Sequence, residues 1–151
     1  MTADRLLWLL MRVDACIVLC AVPCAFLPFG WMDFVHREWL GLGPLADVPL
    51  TRYMARSLSL VYAMHGAIVL TITIRWHQLR SLVPVLAGLH MALGAGLLFA
   101  DLDANLPWWW TGVEGPGLVA FGLVKLVLYN RASRAAASVP EAGGGHGPAA
   151  S

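Results

Sequence analysis

The chain has 151 residues, 59% of them hydrophobic and only 13% charged, with a formal net charge of +1. Soluble domains carry a charged share of roughly 25%, so lipid rather than water must cover most of this surface, and the near-neutral balance offers nothing to a nucleic acid. The length suits one domain and leaves no room for a separate soluble catalytic module.

The first apolar stretch covers about 13–29, with a leucine-rich lead-in at 6–10. Arg12 and Asp14 flank or enter it and no small-residue cleavage pattern follows Phe26, so it reads as a retained helix, kinked by Pro23 and Pro28, rather than a signal peptide. Cys16, Cys20 and Cys24 form a stripe at i, i+4, i+8 and read as buried small hydrophobes, since no CxxC pair accompanies them. Segment 31–40 plots as a short amphipathic helix, with Trp31, Met32, Phe34, Val35 and Trp39 on one arc and Asp33, His36 and Arg37 on the other. That is the pattern of a helix lying in the membrane interface, in the first outer loop.

Asp47 and Pro49 supply an N-cap and an early helical proline for a second span over 53–74. A basic turn, 75–80, leads into a third span over 82–100 with Pro84 in its first turn. A polar hairpin follows, with Asp101, Asp103, Asn105 and the run 108–110 of three tryptophans, before a fourth span over 113–129. Each span approaches the roughly 20 residues that cross a bilayer core. The Ala/Gly/Pro/Ser-rich remainder, 131–151, reads as a disordered cytoplasmic tail attached to a transmembrane domain of residues 1–130.

Orientation follows from the basic residues. With the N-terminus inside, Arg5, Arg12, Arg75, Arg80, Lys125, Arg131 and Arg134 are cytoplasmic, and Arg37, Arg52 and Arg56 are outside. Seven against three places both termini in the cytoplasm. The expected fold is an all-α, up-down four-helix bundle spanning a membrane.

Two constellations carry possible chemistry. At the outer ends, Arg52 and Arg56 sit one turn apart on the second span, with Ser59 and Tyr62 continuing the polar edge inward and Asp101, Asp103 and Glu114 facing them in depth. Interfacial arginines snorkel or pair, and an Arg–carboxylate network joining three helices is the structural expectation. An anionic-lipid or small-ligand site lined by Arg52, Arg56, Tyr62 and the hairpin tryptophans is the functional one. Deeper, His65 and His90 fall at one level near the bilayer midplane, where ionisable groups are functional candidates. They read as hydrogen-bonded core residues, or as axial ligands of a haem b iron, or as a proton or quinone site. The sequence demands no cofactor and offers no metal-binding motif; Asp101 and Asp103 alone do not make a coordination shell. Nucleotide-binding and hydrolase motifs are absent.

The segment from Tyr53 to Gly66 (YMARSLSLVYAMHG) and that from Trp108 to Gly117 (WWWTGVEGPG) resemble small four-helix proteins of bacterial inner membranes, and the layout of spans is loosely similar to DoxX-like membrane proteins. The resemblance covers about 5–130. It implies the fold and transfers no site, since no quinone or thiol-redox signature is present. The function expected is that of a non-enzymatic accessory protein that binds lipid or a small ligand, as an oligomer or within a larger membrane complex. A membrane redox role at His65 and His90 is the alternative.

Overall fold

The computed structural model describes residues 2–138, all helix, turn and loop, with no strand among them. Four stretches are long and apolar enough to cross a membrane: Ala3–Cys24, Pro49–Ile74, Trp76–Asp103 and Trp108–Ala137. The α-helices in chain order are α1 (Ala3–Leu19), α2 (Ala21–Cys24), α3 (Phe29–Phe34), α4 (Pro49–Ile74), α5 (Trp76–Leu79), α6 (Val83–Asp103), α7 (Trp108–Thr111) and α8 (Glu114–Ala137), with α3 between the first two stretches.

Local chemistry sets the boundaries. Thr2 caps α1, its Oγ1 accepting the Arg5 amide at 3.3 Å. Pro23 has no amide hydrogen to donate back to Leu19, and the helix is interrupted between α1 and α2 at that turn. Pro49 and Pro84 stand in the first turns of α4 and α6, where a missing donor costs nothing. The segment expected as a short helix over 31–40 is helical, as α3 followed by a π-helical turn, Val35–Trp39. Its polar side ties down the loop beyond it: Asp33 Oδ1 accepts the Leu45 amide at 2.8 Å, and His36 Nδ1 lies 2.7 Å from the Gly43 carbonyl.

Three expectations change. The first span begins at Ala3 rather than Val13, so Asp14 lies well inside it. Helix α8 continues to Ala137, so the first part of the expected tail is helical; 139–151 lies outside the described residues. Cys16 and Cys20 are exposed and Cys24 is half-buried, all as free thiols, so the cysteine stripe faces outward and does not fill a core.

The helices do not pack in simple chain order. Backbones meet most closely between α6 and α8, then between α1 and α4, then between α1 and α8, while α4 and α6 lack a comparable seam. The α6–α8 contact depends on glycine. A Cβ on Gly94 would lie 2.5 Å from the Gly115 carbonyl oxygen, and one on Gly115 would lie 2.7 Å from that of Gly94. At α1–α4, a Cβ on Gly66 would meet the Leu19 side chain at 2.9 Å. Small residues allow such approach where lipid gives no hydrophobic drive.

One end of the bundle is stitched by polar side chains. Trp8 Nε1 donates to the Thr73 carbonyl at 2.9 Å, and Trp76 Nε1 donates to Asp4 at 3.1 Å. Arg80 pairs with Asp4 at 2.9 Å, lies over the Tyr129 ring and reaches Ser133. The start of α1, the α4–α6 turn and the end of α8 therefore meet, above a core of Leu7, Met11, Ala15, Val69, Ile72, Trp76, Val83 and Leu86.

Candidate functional site: a buried polar cluster beside a lateral cavity

Asp14, His65, His90 and Lys125 come from α1, α4, α6 and α8. Each stands in the middle third of its membrane-length helical stretch, Asp14 eleven residues from the start of α1 and Lys125 twelve from the end of α8. At 1.5 Å per residue both lie about 16–18 Å from the same end of the bundle.

Lys125 is fully buried, and its Nζ donates to Asp14 Oδ2 at 2.6 Å; Asp14 is only 8% exposed. The ammonium also lies over the Phe121 ring, 4.1 Å from its centroid. Each charge would be costly alone at membrane depth, so each requires the other. Lys125 thus lies inside the bundle and not at its end, which leaves six of the seven basic residues that the sequence count grouped together, against Arg37, Arg52 and Arg56.

The histidines lie beside this pair. Their rings meet edge to face with centroids 5.1 Å apart, and His90 meets Phe121 in the same manner at 5.9 Å. His90 Nδ1 is 2.8 Å from the Leu86 carbonyl oxygen. A carbonyl only accepts, so Nδ1 carries the hydrogen and the neutral ring presents a bare Nε2 lone pair. His65 Nε2 is buried with no hydrogen-bond partner. One atom each from Asp14, His65 and His90 lie within 4.8 Å of one another. With the rings in contact, the imidazoles would have to part for a haem iron to be held between them.

The weak α4–α6 seam opens into a cavity of about 330 Å³ above this cluster. Val18, Val61, Leu89, Leu93 and Leu118 form apolar walls, Asp14, His65 and His90 a polar floor, and Tyr62 lines it beside them. Tyr62 therefore belongs with the histidines.

The outer constellation is not the network that spacing suggests. Arg52 makes a two-pronged pair with Asp47, Nε to Oδ1 at 2.6 Å and an Nη to Oδ2 at 2.8 Å, and lies over the Phe29 ring. This pair holds the Asp47 carboxyl below the usual carboxylate range, its hydrogen bond from Arg52 being the chief cause. Arg56 is exposed and lines an open surface groove with Arg52 and Tyr53. Glu114 accepts from Trp110 Nε1 within its own turn. Asp101 is buried with Oδ2 unpartnered, and Asp103 is exposed. No ion pair joins the two arginines to Asp101, Asp103 or Glu114 among the described residues.

No protein-family profile matches the chain, and neither a curated protein nor a solved structure matches it.

Proposed function

We propose that this is a multi-pass protein of a bacterial inner membrane, an up-down four-helix bundle with both termini cytoplasmic, that binds a small lipid-soluble ligand in the cavity between α4 and α6. The observation that carries this reading is the cavity itself: about 330 Å³, apolar on its walls and polar only at its floor. Ligand sites have this composition, and the volume falls at the lower end of their range, ~300–1,000 Å³. A chain-like or single-ring molecule with one carbonyl or hydroxyl head suits it, the head turned to the floor of Asp14, His65 and His90 and the apolar part lying against Val61, Leu89 and Leu93. The role is accessory and non-enzymatic, carried out as an oligomer or within a larger membrane complex. The outward orientation of the α4 start is supported by six basic residues at the opposite end or its turns against Arg37, Arg52 and Arg56. The exposed Trp31 and Trp39 suit a segment lying in the interface.

The test is extraction and mass spectrometry of what co-purifies in mild detergent. Wild type is expected to retain an amphiphile that Leu93→Trp, which fills the cavity from its wall, loses while keeping its helical content. If wild type carries nothing, and no lipophilic fluorescent probe binds it in competition with added quinone or fatty acid, the reading fails. Release of a quinone would favour the redox alternative at His65 and His90.

A further inference from the structure

We infer that the cavity floor is a binding site for a divalent first-row transition metal ion of the Zn²⁺ or Co²⁺ kind, held by Asp14, His65 and His90. The inference rests on the same cavity as the proposed ligand site and on three further observations. The donors converge from three different helices, with ligand atoms within 4.8 Å of one another, two of the residues being over nine-tenths buried. His65 Nε2 is enclosed without a partner, a condition that is costly for a polar group and calls for an explanation. His90 is already set up as a ligand, because the Leu86 carbonyl takes its Nδ1 hydrogen and leaves Nε2 bare. Metal-ligating imidazoles are fixed in this manner by a carbonyl or carboxylate behind them.

The donor chemistry narrows the ion. Two imidazole nitrogens and one carboxylate oxygen suit Zn²⁺, Co²⁺, Fe²⁺, Ni²⁺ or Cu²⁺ and not Mg²⁺ or Ca²⁺, which take oxygen shells. Three protein ligands leave a coordination position open toward the cavity, the arrangement of sites that also bind a small molecule or water. Lys125 opposes the ion. Its ammonium, 2.6 Å from Asp14 Oδ2, neutralises the carboxylate and occupies one of its oxygens, so a metal must share Asp14 or displace it. Lys125 is then a built-in competitor that sets a moderate affinity, and removing it has a sign that a purely structural pair would not produce. Without the ammonium, Asp14 is an unpaired buried carboxylate that a cation compensates.

The test uses the full chain purified through a histidine-free tag, stripped with chelator, and titrated with Co²⁺ followed by visible absorption and with Zn²⁺ in competition. Wild type is expected to bind one ion per chain with a tetrahedral or five-coordinate Co²⁺ spectrum. His65→Gln is the decisive variant, because Nε2 makes no hydrogen bond within the protein for the substitution to break; its affinity is expected to fall by about tenfold to a hundredfold or more, as for loss of a ligand or its supporting group. Lys125→Met is expected to tighten binding by about tenfold or more, by removal of a cation next to the ligand set, and its lowered thermal stability should be restored by Zn²⁺. Absence of Co²⁺ and Zn²⁺ uptake by wild type overturns the inference, and so does unchanged uptake by His65→Gln, His90→Ala and Asp14→Asn. A chain that binds no metal yet still retains an amphiphile lost in Leu93→Trp removes the metal and leaves the ligand cavity standing.

Discussion

Breaking the Asp14–Lys125 pair from either side should destabilise the bundle far more than removing both charges together. Lys125 is completely buried and Asp14 nearly so, with Nζ and Oδ2 2.6 Å apart across the α1–α8 interface. Truncating one partner of such a pair costs about 3–5 kcal/mol, because the survivor stays charged in a medium that cannot solvate it. Replacing both with neutral side chains is roughly neutral or stabilising by about 1–4 kcal/mol, since both desolvation costs disappear with the attraction. Relaxation of the surroundings and water penetration around a lone charge lower the single-variant cost, so the coupling energy is expected to exceed about 2 kcal/mol rather than reach the full sum. The assay is a double-mutant cycle over Asp14→Leu, Lys125→Met and the double variant. Unfolding is driven by adding a denaturing detergent to mild-detergent micelles, and helical circular dichroism is read with chelator present so that no metal rescues the lysine variant. Coupling below about 0.5 kcal/mol, the level at which independent sites add, would refute the claim that these charges hold each other in the core.

Three further outcomes are expected. Gly94→Ala drives a methyl group into the Gly115 carbonyl at 2.5 Å, an overpacking worth about 1–3 kcal/mol; the same detergent titration should show the loss, and Gly88→Ala, with open space at its Cβ, should match wild type. The Asp47–Arg52 pair lowers the folded carboxyl's pKa, so its contribution is complete above the ordinary carboxylate range, begins to fade as pH falls through that range, and is gone only below the lowered folded value. Melting curves of wild type and Asp47→Asn should therefore differ slightly at pH 7 and converge in strong acid; divergence toward acid would reverse the assignment. Because the His65 and His90 rings touch edge to face at 5.1 Å, the purified protein from haem-replete cells should show no Soret band, and a band abolished by His65→Ala would mean that α4 and α6 separate to admit a macrocycle.

The four membrane-length helices, the short helix between the first two and the shared level of the two histidines were legible because each depends on periodicity or length, which a sequence states directly. The site was only half legible, and the missing half turns on where the first span starts. Begun at Val13, it leaves Asp14 as a flanking charge; begun at Ala3, as α1 is, it puts Asp14 eleven residues deep and poses at once the question of its counter-ion. The candidate cation was in view as Lys125, an isolated charge inside the fourth apolar stretch, but the positive-inside count absorbs such a residue by assigning it to the nearest loop. An acid inside the first span and a base inside the last, each alone, are the signal that joins α1 to α8. The outer arginines failed in the opposite way. Their spacing on one helix face was correct, yet Asp47, five residues before Arg52 and free in a loop, reaches the guanidinium more cheaply than Asp101 or Glu114, whose backbones are fixed on other helices. The cavity was not legible at all. Gly94 and Gly115 let α6 approach α8, Gly66 lets α4 approach α1, the α1–α8 seam joins the two pairs, and no comparable seam closes α4 on α6. The α4–α6 turn makes those helices neighbours in sequence, yet the space between them is open over His65 and His90.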